Sequence, residues 1–92
     1  MTWFIVTLEW YIVLEVIKML KGRIAQLKKK YPIGSRIRLI KMDDLQAPPL
    51  GTKGTIIGVD DIGSLLVNWD NGSSLNVIDQ VDEVELIKDW SV

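Results

Sequence analysis

Pro32 divides the chain in two. A proline pushes the residue before it out of the helical region, so a helix arriving from the N-terminal side stops there. On that side 14 of the 18 residues from Trp3 to Leu20 are apolar, the exceptions being Thr7, Glu9, Glu15 and Lys18. They do not alternate, so a half-buried strand fits poorly. At about 100° per residue, Ile5, Val6, Leu8, Ile12, Val13, Val16, Ile17, Met19, Leu20, Ile24 and Leu27 fall on one broad arc. Thr7, Tyr11, Glu15, Lys18, Gly22 and Lys29 fall opposite, and Glu9 projects from the apolar arc. The spacing predicts one long amphipathic helix from Thr2 to Lys30, with Gly22 as the point where it can bend. Local propensity opposes this, since Trp3, Phe4, Ile5, Val6, Trp10, Tyr11, Ile12 and Val13 favour strands. Burial against something else has to hold the helix.

Three covers are open to such an arc: the rest of the chain, the same helix of another copy, or a membrane. Self-association or intramolecular packing is the expectation, with Ile5, Val6, Ile12, Val13, Val16 and Leu20 as the self-association residues. A spanning helix needs ~20 mostly apolar residues, and the segment is just long enough. Two glutamates and a lysine within it would each cost roughly 2.5–3.5 kcal/mol near the bilayer centre. A secretory signal is not expected, because no basic stretch precedes the apolar run and no small-residue cleavage site follows. The predicted location is cytoplasmic, with membrane association as the alternative.

Charge is distributed in blocks. The 92 residues hold 11 basic and 12 acidic side chains, for a net charge of −1. Nine bases and no acid lie between Lys18 and Lys41, whereas ten acids and only Lys53 and Lys88 follow Met42. The simplest consequence is that the two blocks face each other, within one protein or between copies. A chain this short buries only about 60–65% of its unfolded surface, too little for a second core. Residues 1–30 are therefore expected as a helical appendage and residues 31–92 as the domain.

After Pro32 the pattern changes to strands and turns. Arg36–Lys41 alternates polar and apolar residues, as a half-buried strand should. Further strands are expected at 54–59, 64–69, 74–78 and 84–88, with a loop at 45–51 and a turn at 60–63. Asn71-Gly72 between two of them predicts a two-residue type I′ hairpin. Five short strands in about 55 residues point to a small, bent antiparallel barrel. The expected fold class is α+β, a long N-terminal amphipathic helix followed by a five-stranded antiparallel SH3-like barrel.

Tyr31-Pro32-x-Gly34-x-Arg36, then Ala47-Pro48-Pro49-x-Gly51-Thr52-x-Gly54-Thr55-x-x-Gly58-Val59-Asp60-Asp61, then Trp69-Asp70-Asn71-Gly72-Ser73-Ser74-Leu75 form a connected set of motifs. Residues 31 to about 88 thereby resemble a small SH3-like-barrel family, a bacterial domain of unknown function frequent in Gram-positive bacteria, their phages and mobile elements. The resemblance implies the barrel and no established activity. A weaker likeness, through Gly51-Thr52-x-Gly54-Thr55 and Val67-x-Trp69-Asp70-Asn71-Gly72, links the chain to KOW-type barrels that touch nucleic acid and Mind-bomb/HERC-type barrels that bind proteins. Asp79-Gln80 stands where that family tends to show Pro-Gly, and the apolar first block is unlike the short polar helix expected there.

With no His and no Cys, the chain lacks an imidazole base, a thiolate and the usual zinc ligands. No nucleophile–base pair is visible, so no enzyme activity, cofactor or metal is expected. Gly51-Thr52-Lys53-Gly54-Thr55 lacks the spacing of a phosphate loop and precedes a strand, so it reads as barrel-corner turns. Asp43-Asp44 and Asp60-Asp61 read as solvated turns, and Asp70 as a hairpin acceptor. What remains is binding. The leading expectation is a protein partner held by Trp69, Asp60, Asp61, Asn71 and the Pro48-Pro49 loop, displayed on a homo-oligomer; the phage setting adds an accessory protein that binds or inhibits a host factor. Plain core packing is the competing reading of Trp69. Nucleic acid or another anion, held by Lys28, Lys29, Lys30, Arg36, Arg38 and Lys41, is the alternative, although the acidic barrel half and a pI near 5.3 oppose it. A membrane-tethered barrel is the second alternative.

Overall fold

Among the described residues, a helix that reaches Tyr31-Pro32 is followed by five short strands. The computed structural model describes residues 2–88, with the helix side chains described from Glu9 onward. Helix α1 runs Thr2–Lys30, passes through Gly22 without interruption, and ends as the spacing predicts. Lys28, Lys29 and Lys30 occupy its last turn, where cations favour the negative end of the helix dipole. The strands are β1 (Arg36–Lys41), β2 (Lys53–Val59), β3 (Ser64–Trp69), β4 (Val77–Ile78) and β5 (Glu83–Leu86), all antiparallel in the order β4-β3-β2-β1-β5. The fold is α+β.

Alternation in β1 sends Ile37 and Leu39 inward and Arg36 and Arg38 outward. Irregularities between Ile56 and Gly58 in β2, and between Leu39 and Lys41 in β1, break the ladder register. Such bulges bend and twist a sheet, and here the inner face wraps Ile37, Leu39, Ile56, Val67 and Val77, each under 2% exposed. Gly54 lies directly opposite Trp69. A Cβ there would sit 2.7 Å from Val67 Cγ1 and 2.8 Å from Trp69 Cε3, so the indole packs where any side chain at 54 would be.

The ladder does not close. β4 and β5 are its two edges, so the expected barrel is met in strand number and antiparallel sense but not in closure. β4 is only two residues long, instead of the expected 74–78, because Leu75 is engaged elsewhere: its carbonyl accepts the indole N–H of Trp69 at 2.8 Å. A tight turn then sends the chain to the far edge, with Val81 N–H and Asp82 N–H on the Ile78 carbonyl and the Asp82 carboxylate on Ile78 N–H. α1 lies against the gap. Leu27 and Tyr31 are buried in the common core, and a Cβ on Gly63 would lie within 4 Å of Leu20, Ile24 and Leu27. A cleft of about 300 Å³ remains there, with Arg23 and Lys30 on one wall and Leu65, Val77 and Val84 among the others.

The 70–73 hairpin corrects the sequence reading. Gly72 has φ +89° while Asn71 stays at negative φ, so the loop is not type I′. Gly72 N–H bonds the Trp69 carbonyl and Trp69 N–H bonds the Ser73 carbonyl. This is a three-residue loop, a type I turn followed by a left-handed glycine. Asn71 Oδ1 accepts Ser73 N–H at 3.0 Å, and this local bond holds Asn71 at the turn without positive φ.

Candidate functional site

α1 is 29 residues long, about 43 Å at 1.5 Å per residue, and only its C-terminal third meets the sheet. The molecule is accordingly elongated, 63 × 31 × 17 Å. Beyond Leu20 toward the N-terminus the helix forms an arm whose large apolar side chains face solvent. Trp10 is 62% exposed and Met19 73%; Tyr11, Ile12, Val13, Leu14, Val16 and Ile17 are also exposed, and Leu20 sits at the boundary. Of the expected self-association residues, Ile12, Val13, Val16 and Leu20 lie on this arm; the side chains of Ile5 and Val6 lie outside the described residues.

A finer pattern runs through the arm. Trp10, Val13, Ile17, Leu20, Ile24, Leu27 and Tyr31 are spaced alternately three and four residues apart. That is the a/d seam of a heptad repeat, the spacing that packs one helix along another. Sequence reasoning found the broad arc and missed this seam, although the spacing alone would have revealed it. Among the described residues, no helix is long and apolar enough to cross a membrane.

The residues expected to hold a protein partner do not form one surface. Trp69 is 2% exposed, with its indole N–H bonded to Leu75, so it belongs to the core and presents no face to a partner. Pro48 is buried and Pro49 exposed. Asp60 is used by its own turn: Oδ1 accepts the N–H groups of Ile62 and Ser64 at 3.1 and 2.7 Å. Asp61 and Asn71 are exposed, but they flank opposite ends of β3, roughly 20 Å apart at about 3.3 Å per residue.

The basic stripe is broken up in the same way. Arg36 grips Asp70 through both terminal nitrogens at 2.8 and 2.6 Å and also donates to Thr55 Oγ1. Arg38 pairs with Glu85, its direct cross-strand neighbour, at 2.7 Å. Lys28, Lys29, Lys30 and Lys41 are exposed, with the Lys30 amine 5.4 Å from the Tyr31 ring centre. Arginines of the basic block thus meet carboxylates of the acidic block within one chain, which is part of what the segregation of charge predicts.

The strongest of these pairs anchors the helix. Arg23 donates Nε to Asp79 Oδ2 at 2.6 Å and a terminal nitrogen to Oδ1 at 2.7 Å, joining α1 to the β4–β5 turn. This bidentate contact holds the Asp79 carboxyl below the ordinary carboxylate range. Asp70 is lowered by Arg36 for the same reason, and both guanidinium groups are raised. Neither Asp79 nor Asp70 was singled out for pairing by the sequence, because partners 56 and 34 residues away leave no local signal. Next to Asp79, Gln80 carries φ +66°, a conformation that ordinarily suits glycine.

A family model described as Domain of unknown function (DUF4314) matches residues 20–87, from the sheet-facing end of α1 to just past β5. No curated protein and no solved structure matches the chain.

Proposed function

This chain belongs to the family described as a domain of unknown function, DUF4314, and from that premise we propose that it is a non-enzymatic protein-binding module that self-associates through α1. The exposed arm carries this reading. Nine large apolar side chains from Trp10 to Leu20 stand in solvent, and the four on the seam, Trp10, Val13, Ile17 and Leu20, share one face of the helix. Contiguous exposed apolar surface of this kind marks an interaction site. The heptad seam supports a helix as the partner, and a second copy of this chain supplies one with the same spacing. The family match begins at residue 20, at the boundary between the arm and the sheet-facing part of α1.

The curled sheet is then an SH3-like barrel left open between β4 and β5, and association displays it in more than one copy. The exposed loops around Pro49, Asp61 and Asn71 are its remaining surface for a further partner. If the resemblance to barrels of Gram-positive bacteria, phages and mobile elements holds, that partner is a host factor that the module binds or inhibits. The test is the mass of the full-length protein in detergent-free buffer, by light scattering on a sizing column. A discrete oligomer is expected; a monomer of 10.5 kDa removes the reading.

A further inference from the structure

We infer that two copies pair through their arms in antiparallel fashion, so that their sheets stand at opposite ends of the dimer. The inference rests on the self-association proposed above and adds the direction in which the partner runs.

Occupancy of the seam is the first ground. The seam is continuous from Trp10 to Tyr31, but its lower half is taken by the chain's own sheet: Leu27 and Tyr31 are buried there, and Leu20, Ile24 and Leu27 surround Gly63. A parallel partner would follow the same seam toward the C-terminus. It would meet that sheet within a turn or two of Leu20, and its own sheet would occupy the matching face. Two helices in contact have axes only about 8–10 Å apart, which leaves no room for two sheets between them. An antiparallel partner whose overlap is confined to residues before Leu20 carries its own sheet away past the other end of the arm.

The helix dipoles are the second ground: parallel pairing sets like ends side by side, whereas antiparallel pairing opposes the two dipoles. Glu15 and Lys18 fall on the face opposite the seam and pair with each other at 3.6 Å, so they do not repel either arrangement.

The chain has no cysteine, so Lys29→Cys, on an exposed position of α1, gives a single label site per copy. Light scattering on the full chain fixes the mass, and a spin-label distance between the two sites fixes the direction. At 1.5 Å per residue, antiparallel overlap places the labels about 40–55 Å apart, and parallel pairing places them under about 30 Å. The expected result is twice 10.5 kDa with the long distance. A dimer with the short distance overturns the antiparallel direction and leaves self-association standing. A monomer, or a protein kept in solution only by detergent, overturns both. The double variant Val13→Lys, Ile17→Lys is expected to halve the mass with the sheet's melting unchanged. A dimer that survives it locates the contact elsewhere and overturns the inference.

Discussion

The two ends of α1 carry the same seam and meet opposite fates. Near the sheet, Leu27 is 3% exposed and Tyr31 is buried. About three to four turns earlier, Ile17 and Val13, on the same line along the helix, face water. Periodicity states which face of a helix must be covered and is silent about the cover. The lower end finds its cover in the gap between β4 and β5, and the polar rim of that contact is fastened by Arg23 and Asp79. Among the described residues, the upper end has no cover. One helix therefore serves stability at one end and offers association at the other, and substitutions along it should separate the two.

The sharpest contrast is between Leu27→Ala and Ile17→Ala. Leu27→Ala removes a buried side chain from the shared core and is expected to cost about 2–5 kcal/mol of unfolding free energy. Ile17→Ala should leave the sheet's own stability within about 0.5 kcal/mol while weakening the oligomer. Denaturant melts read beside light scattering distinguish these outcomes, and equal destabilisation by both variants would erase the difference between the two ends. Gly54→Ala comes next. It forces a methyl against Val67 and Trp69 and should cost about 1–3 kcal/mol, with the arm's association intact once the protein is folded.

Gln80→Gly should act in the opposite direction. It relieves a positive φ beside the Arg23–Asp79 contact and is expected to raise stability by up to about 1 kcal/mol, seen as a higher denaturation midpoint. The smallest effect is in pH. Asp79 and Asp70 have folded pKa values below their ordinary ones, so their contribution is present above about pH 4 and is lost as pH falls through the lowered folded values. Asp79→Asn should flatten part of that acid limb in a stability–pH profile. If the limb is unchanged, the latch between helix and turn contributes nothing measurable.

Much of this architecture can be read from the residues in order. The helix ends before Pro32, β1 and β3 lie where alternation and turn residues put them, and three arginines of the basic block pair with acids of the other. The rest depended on contacts that neighbouring residues do not encode. β4 shortens because the Trp69 indole takes the Leu75 carbonyl. Trp69, an anchor candidate on type alone, is core because Gly54 leaves space for its ring. Asn71-Gly72 has the composition of a type I′ turn, but the ladder closes at Trp69 and Ser73, one residue further apart than that turn requires. For the candidate site, the apolar arc was visible and its extent beyond the sheet was not.

The sequence by itself determined a helix up to Pro32, an antiparallel strand set after it, and the need for something to cover a long apolar face. These follow from backbone sterics and from side-chain periods of 3.6 and 2, which act over a few residues. Only the tertiary structure decided where that face stops being covered, which tryptophan is buried and which carboxylates hold arginines. Those outcomes depend on groups brought together across as many as 56 residues, and a chain acquires such neighbours only once its sheet has curled and its helix has docked.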